Sequence, residues 1–311
     1  MESGALLRAA REAADISLRT MAERTHYDAG YLSLIENGQR PTPAGVVDSY
    51  QRVLGTTDLG RLTVAARSAA SADAGTLREV AVMLGALRRI EDSTGVMSVL
   101  PAVRGMSAMV SEFARKSRSA HDEAVRLGAE VTQYRGYLEH AVGADTAARR
   151  TMTTAVELAT ESGDPDSLVR SLVFAGVVTW SATGSWSAVI DLSDAALSVR
   201  GAHPVLRAYA AMRRAELLAA RGETGEARTV LSRADDAIEE ATDADPPPES
   251  MYWWTPGFGL VQRGGVLTLL GETTQAIEEA TAGLAEMPAE HRHTEWLAST
   301  LRKIDPDMTD D

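Results

Sequence analysis

The sequence predicts an all-α protein, with four or five short helices at the N-terminus followed by a longer array of paired helices. Ala is very frequent and Leu and Arg are common, whereas Phe is rare. Ala, Leu and Arg lose little free energy when they enter a helix. Apolar residues also recur at helical spacing along most of the chain. No strong alternating strand pattern and no hairpin signal occurs in the sequence.

The first three helices are marked by start and stop signals within residues 4–54. Ser17 is a good N-cap for a helix over 18–25, because its side-chain oxygen can accept a hydrogen bond from an early backbone amide. Asp28 can cap a third helix in the same way, and Gly38 follows where a left-handed residue ends a helix. The connections between these helices are very short.

A fourth helix is predicted over about 43–54. Thr42 supplies its N-cap and Pro43 its first-turn residue, a position where the missing N–H of proline costs no hydrogen bond. These helices together define an N-terminal domain over residues 1–56.

The rest of the chain divides by composition. Residues 57–76 are rich in Ala, Ser, Thr, Gly and Asp, which predicts a linker with room for one short helix. Helical patterns then continue over 77–304, which we interpret as one helical-repeat domain. The last segment, 305–311, is acidic and is expected to be a disordered tail.

The second half of the chain repeats itself. Aligned on Gly143, Gly184, Gly222 and Gly271, it shows small or modest residues seven positions before, five after and twelve after each glycine. The intervals of 41, 38 and 49 residues between these glycines each fit two helices plus variable loops. Small residues let paired antiparallel helices approach closely, so each glycine is predicted to end the first helix of a pair.

Several spaced features of residues 4–55 agree with one known pattern. Ala22 falls where two crossing helices need a small residue, and the core between those helices is supplied by Leu18, Met21, Leu32 and Ile35. The ending Ile35-Glu-Asn-Gly38 and the prolines at 41 and 43 also match. In these features the segment resembles the Xre-type helix-turn-helix family of phage repressors and Cro proteins. The resemblance implies that a helix over about 28–36 lies in the major groove of double-stranded DNA.

The same resemblance implies which residues contact DNA. The positions that would face the bases are Asp28, Ala29, Gly30 and Ser33. The positions that would face phosphates are the backbone amides near Ser17 and the side chains of Arg19, Asn37, Gln39 and Arg40. Arg11 and Glu36 match a family pair that joins the first and third helices, so we assign them to structure.

Two positions depart from the family pattern. His26 stands where Gly is usual in the turn, and Leu34 stands where a basic residue is frequent. The helix that would enter the groove therefore carries no Arg, Lys, Asn or Gln before Asn37, although those side chains normally make bidentate base contacts. Three interpretations stay open: weak sequence readout, readout through Ser33 and DNA shape, and a domain that no longer binds DNA.

Two short motifs stand out in the repeats, Gly222-Glu-Thr-Gly-Glu-Ala227 and Gly271-Glu-Thr-Thr-Gln-Ala276. With them, residues 77–304 resemble the tetratricopeptide-like sensor domains that follow Xre-type segments in many actinobacterial regulators. The resemblance implies an α-solenoid whose concave groove binds a small-molecule or peptide effector. Because a helix-turn-helix monomer reads only a half-site, we also expect a homodimer formed through the repeats.

Aromatic residues crowd the last repeats of a chain that is only 5% aromatic. Adjacent residues of a helix point about 100° apart, so the rings of Trp253 and Trp254 are not both expected in one core. We therefore predict an effector site formed by Trp180, Tyr252, Trp253 and Trp254, with Arg214 and Arg263 as anchors for a ligand carboxylate. The alternative is that these rings pack between helix pairs.

The charge distribution restricts where DNA can bind. The net charge is −13, of which residues 1–55 contribute −1 (six Arg against seven Asp and Glu) and the rest −12 (25 basic against 37 acidic residues). Because an acidic body repels phosphate, DNA contact must come from the near-neutral N-terminal segment.

Other function classes find no support in the sequence. The absence of cysteine excludes disulfides, thiolate metal sites and a Cys nucleophile. His291 and His293, the closest histidine pair, do not share a helix face, so no metal is expected. There is no Gly-rich phosphate loop and no nucleophile–base constellation, so we expect neither a cofactor nor an enzymatic activity. No apolar run is long enough for a bilayer and no signal peptide is evident, which predicts a cytoplasmic protein.

The sequence thus predicts a ligand-responsive transcription regulator that binds a double-stranded DNA operator as a homodimer. The alternative is a protein–protein adaptor whose helix-turn-helix domain no longer reads DNA.

Overall fold

The computed structural model describes residues 3–14, 16–54, 65, 68–242, 244–292 and 294–309. Within these ranges all regular structure is helical and no β-strand is present, which confirms the all-α prediction. None of the helices described there is long and apolar enough to cross a membrane. Half of the predicted linker over 57–76 (57–64, 66 and 67), His293 and the last two residues of the predicted tail lie outside the described residues.

The chain divides into two compact units, Met1–Ser162 and Gly163–Asp311. In the described part of the first unit the α-helices with given bounds are α1 (Ser3–Ala13), α2 (Leu18–Thr25), α3 (Ala29–Glu36), α4 (Ala44–Leu54), α5 (Ala74–Thr94), α6 (Val96–Lys116), α7 (His121–Ala141) and α8 (Asp145–Ser162). The helices of the second unit are α9 (Pro165–Thr183), α10 (Trp186–Ser198), α11 (Pro204–Ala220), α12 (Thr224–Thr242), α13 (Pro256–Leu269), α14 (Thr273–Glu286) and α15 (Glu295–Ile304).

Three of the predicted helix signals of the N-terminal bundle are confirmed, those of Ser17, Asp28 and Gly38. The Ser17 hydroxyl accepts a hydrogen bond from the Thr20 backbone amide at 3.1 Å and so caps α2. The Asp28 carboxylate accepts one from the Tyr31 amide at 2.9 Å and caps α3. Gly38 has a φ of 71° just after α3 ends. The positions of these helices therefore follow from local hydrogen bonding that the sequence specifies.

The core of the first unit continues from the short helices into the longer ones. Leu6 and Leu7 of α1 belong to the same cluster of buried side chains as Leu77 and Val80 of α5. α1 contacts both α5 and α6. The N-terminal bundle is therefore seated on longer helices of its own unit, while the division into a DNA-binding part and a sensor part stays a prediction.

The internal repeat corresponds to helix pairs, as predicted. The pairs α7–α8, α9–α10, α11–α12 and α13–α14 are each in close contact. The four aligned glycines follow the first helix of each pair with φ values of 75°, 60°, 80° and 81°, the left-handed conformation that glycine adopts without steric cost. The residues five positions later are all buried in the second helices: Ala148, Val189, Ala227 and Ala276.

Within the second unit the first helices of successive pairs contact one another. α9 contacts α11, α11 contacts α13, and α13 contacts α15. Helix pairs that stack through their first helices form a helical solenoid. The assignment of these repeats to the tetratricopeptide-like family stays a prediction.

The close approach of α13 and α14 provides a paired test of this packing. A Cβ atom on Gly264 would lie 2.8 Å from the Ala276 carbonyl oxygen, whereas one on the adjacent Gly265 would meet no atom within 4 Å. We expect Gly264→Ala to lower the free energy of unfolding by about 1–3 kcal/mol, because the two helices must separate. Gly265→Ala should raise it by up to about 1 kcal/mol, since alanine is the better helix former.

Chemical denaturation followed by circular dichroism measures both effects. Equal changes for the two variants would contradict this description of the α13–α14 contact.

Candidate nucleic-acid interface and candidate effector site

Helices α2 and α3 pack through a small apolar core and are joined by a tight turn. Met21, Leu32 and Ile35 are fully buried between them, and Ala22 is buried at their crossing. The turn begins at His26, whose φ of 60° is left-handed. Histidine therefore adopts the conformation for which the family pattern has glycine, so the departure at this position leaves the turn intact.

A buried ion pair fixes α3 to the rest of the bundle. Arg11 of α1 donates from Nε and Nη2 to the two carboxylate oxygens of Glu36, both at 2.8 Å. The Tyr50 hydroxyl of α4 donates to the same carboxylate at 2.8 Å, and burial raises the pKa of that hydroxyl. Arg11 also donates from Nη1 to the Ile16 carbonyl at 2.8 Å. These bonds connect three helices, which agrees with a structural role for Arg11 and Glu36.

The predicted DNA-contact residues lie at the surface of the bundle. Seven of them are exposed: Ser17, Arg19, Asp28, Gly30, Asn37, Gln39 and Arg40. The other two, Ala29 and Ser33, are half-buried. Their contacts with DNA stay predictions.

Several of these side chains already have hydrogen-bonding or ring partners. Asn37 donates from Nδ2 to the Ser33 carbonyl at 2.9 Å, so these two predicted residues act as one surface feature. The Arg40 guanidinium lies 5.6 Å from the centre of the Tyr31 ring. Arg8 donates to Asn37 Oδ1 at 3.4 Å. Sequence analysis did not select this exposed arginine, although its position one helical turn before Arg11 could have indicated it.

The tryptophans before α13 form a cluster with two rings, Tyr209 and Phe258, that the sequence analysis did not select. Trp253 and Trp254 lie in a turn and not in a helix. The Tyr209 ring is 5.2 Å from the ring of Trp253 and 5.9 Å from that of Trp254. Phe258 contacts the same two rings at 5.2 and 5.6 Å. The expectation that the two rings do not share one core assumed a helix, and neither residue lies in one. Both rings are half-buried and share Tyr209 and Phe258 as neighbours.

The other predicted effector-site rings have different neighbours. Trp180 lies 4.3 Å from Trp186 between ring centres and is exposed. Tyr252 lies 6.1 Å from the His291 ring. The structure therefore brings Trp253 and Trp254 together but records separate ring partners for Trp180 and Tyr252.

The two predicted anchor arginines differ in their surroundings. Arg263 already binds two carboxylates, those of Asp235 and Glu279, each at 2.9 Å. Arg214 is buried and pairs through Nη2 with Asp194 at 3.0 Å. Its Nη1 is buried without a hydrogen-bond partner among the described residues. Of the two, Arg214 has the spare donor that a ligand oxygen could use.

Sequence analysis missed Tyr209 and Phe258, which link the tryptophans to α11 and α13. Burial raises the pKa of the Tyr209 hydroxyl, so this ring is neutral at ordinary pH. A signal was present, since Phe258 lies only four residues after Trp254 in the sequence. Tyr209 is distant in sequence and only the fold brings it there.

Comparison with known proteins gives one match. Residues 2–62 match the family model of the helix-turn-helix domain. No curated protein matches the chain, and neither does any solved structure. The matched range contains α1 to α4 and the buried ion pair described above. The chain thus carries an N-terminal helix-turn-helix domain, which indicates a DNA-binding regulator.

Proposed function

We propose that the protein is a sequence-specific transcription regulator that binds DNA as a homodimer and responds to a small-molecule or peptide effector bound by its helical repeats. The observation that carries the DNA-binding part is the exposed outer surface of α3, held by the Arg11–Glu36 pair inside a domain that matches the helix-turn-helix family. In domains of this kind the second helix of the motif enters the major groove.

The neighbouring side chains support phosphate contact at both ends of this surface. The Arg19 side chain is 89% exposed, and its Nε atom lies 3.4 Å from the Glu23 carboxylate. An exposed pair of this kind is worth little, so Arg19 can exchange it for a phosphate. The backbone amides at the N-terminus of α2 also support a phosphate contact, because a helix N-terminus favours an anion. Gln39 and Arg40 extend the surface beyond α3.

Replacing Arg40 by alanine tests the phosphate contacts. We expect weaker binding to every DNA sequence, and a salt dependence reduced by about one phosphate contact, because one condensed counterion fewer is released. Fluorescence anisotropy of a labelled duplex over a series of salt concentrations measures both quantities.

Arg150→Ala is the matched control, because it removes the same charge from an exposed position on α8. An identical salt slope for wild type and Arg40→Ala would contradict the assignment of Arg40 to a phosphate.

The effector part of the proposal is supported by the second unit. Trp253 and Trp254 are half-buried against Tyr209 and Phe258, which leaves ring surface for an apolar group. Arg214 offers an unused buried donor for a carboxylate. A thermal-shift screen of carboxylic acids and short peptides tests the idea, with Arg214→Met as the variant that should lose the response. If no compound raises the unfolding temperature of the wild type, the effector proposal fails.

Homodimerisation is proposed because operators for helix-turn-helix domains contain two half-sites. A single helix-turn-helix domain covers a half-site, and two half-sites about one helical turn apart require two domains. Sedimentation equilibrium of the full chain gives the oligomeric state directly. A protein that stays monomeric on and off DNA would contradict this part and would favour the adaptor function.

A further inference from the structure

Leu34 is an exposed apolar side chain on a helix whose outer surface is otherwise small or polar. Among the described residues, seven large apolar side chains are exposed, and Leu34, at 36%, is the only one in the range 3–54. Leu32, Ile35 and Glu36 are buried on the opposite side of α3. About a third of Leu34 therefore stays accessible, on the side of α3 away from these buried residues.

The positions around Leu34 form one outward stripe of α3. Gly30 precedes Leu34 by four residues and Asn37 follows it by three, which places all three on the same side of the helix. All three are exposed. The Leu34 carbonyl also accepts the backbone amides of Gln39 at 2.8 Å and Arg40 at 3.1 Å. Leu34 is thus tied directly to the loop that carries the proposed phosphate contacts.

Gly30 allows this stripe to come close to a partner. A Cβ atom on Gly30 would have one neighbour within 4 Å, the Asp28 carboxylate oxygen at 3.1 Å, and this atom belongs to the cap of α3 itself. No other helix requires a glycine there. With no side chain at 30, the backbone of α3 can approach a DNA groove closely and bring Leu34 to the base edges.

We propose that Leu34 selects thymine by packing against its C5-methyl group in the major groove. This inference rests on the proposed DNA-binding function and names the chemistry by which that surface reads sequence. Of the four bases, only thymine presents a methyl group in the major groove, and apolar side chains recognise it by contact. The absence of Arg, Lys, Asn and Gln before Asn37 then means that this helix reads an apolar feature and not a pattern of hydrogen bonds.

The test removes the methyl group and nothing else. The full-length protein first selects its preferred duplex from a random pool. Each thymine of that duplex is then replaced by deoxyuridine, which pairs with adenine in the same way but lacks the methyl. We expect one thymine in each half-site at which the replacement weakens wild-type binding roughly fourfold, the effect of burying one methyl-sized group.

Three variants make the result specific to Leu34. Leu34→Ala should keep salt-dependent DNA binding but lose the sensitivity to uracil at that position. Leu197→Ala is the matched control, because it truncates an exposed leucine of α10 in the second unit, and it should keep the wild-type sensitivity. Leu34→Arg should shift the preferred base at that position from thymine to guanine, the base that arginine recognises.

The outcomes separate this inference from the function on which it rests. Salt-dependent binding without any uracil effect, or an equal effect in wild type and Leu34→Ala, overturns the role of Leu34 and leaves the DNA-binding function standing. The absence of binding to any DNA overturns both.

Discussion

Replacing Arg11 by methionine should lower the free energy of unfolding of the N-terminal bundle by about 3–5 kcal/mol, because it leaves the Glu36 carboxylate charged and buried without its cation. The Glu36 side chain is only 4% exposed, and Arg11 supplies two of the hydrogen bonds that it accepts. Tyr50 alone cannot compensate the charge, since its hydroxyl is neutral. We expect α3 to lose its fixed position and DNA binding to be lost with it.

Two controls distinguish the loss of the buried Arg11–Glu36 pair from the mere loss of one positive charge. Arg8→Met removes an exposed arginine of the same helix, whose pair with Glu12 is a surface contact, and should cost less than about 1 kcal/mol. The double variant Arg11→Met with Glu36→Leu should recover much of the lost stability, because no unpaired charge remains. Urea denaturation followed by circular dichroism measures all three, and a loss for Arg11→Met no larger than for Arg8→Met would contradict the role of the pair.

Replacing Phe258 by alanine should lower the stability of the second unit by about 3–5 kcal/mol, the usual cost of removing a buried aromatic ring. Phe258 is 4% exposed and contacts Trp253, Trp254 and Trp296, the last at 5.3 Å between ring centres. Its ring therefore connects the turn before α13 with α15. Phe258→Leu fills most of the volume and should cost much less.

Tryptophan fluorescence during denaturation reports on this cluster, because three of the five tryptophans surround Phe258. An unchanged midpoint for Phe258→Ala would show that the rings are not a core.

The local features of the fold were predictable because their causes are local. Ser17 and Asp28 cap the helices that follow them, as expected from a short polar side chain before an apolar helical stretch. The four aligned glycines end the first helix of each pair because only a residue that tolerates positive φ can turn the chain there. In each case the determining contact lies within a few residues.

The features that were not predicted depend on contacts between distant segments. Tyr209 meets Trp253 and Trp254 across more than forty residues. Arg263 was proposed as a ligand anchor, but the structure pairs it with Asp235 and Glu279 from neighbouring helices. Spacing along one helix cannot reveal partners on other helices. The positive charge of Arg263 was therefore visible in the sequence, but its two carboxylate partners were not.

The surface of α3 was predictable from the sequence only in part. The helix and its buried side follow from the pattern of Leu32, Ile35 and Glu36, all of which are buried. The missing basic residue at 34 was also visible in the sequence. What the structure adds is that Leu34 is exposed on the same stripe as Gly30 and Asn37. Because of that placement, Leu34 can make a specific apolar contact on a helix that lacks a polar side chain for reading bases, and this contact can be tested.

The most direct test of sequence-specific DNA binding is an unbiased selection of DNA by the purified full-length protein. Random duplexes are incubated with the protein at several salt concentrations, and the bound fraction is amplified and sequenced. We expect binding that weakens steeply with salt and enriches one sequence with two related half-sites about ten base pairs apart. Failure to retain any duplex at the lowest salt concentration would contradict the regulator function and leave the adaptor function as the better explanation of the fold.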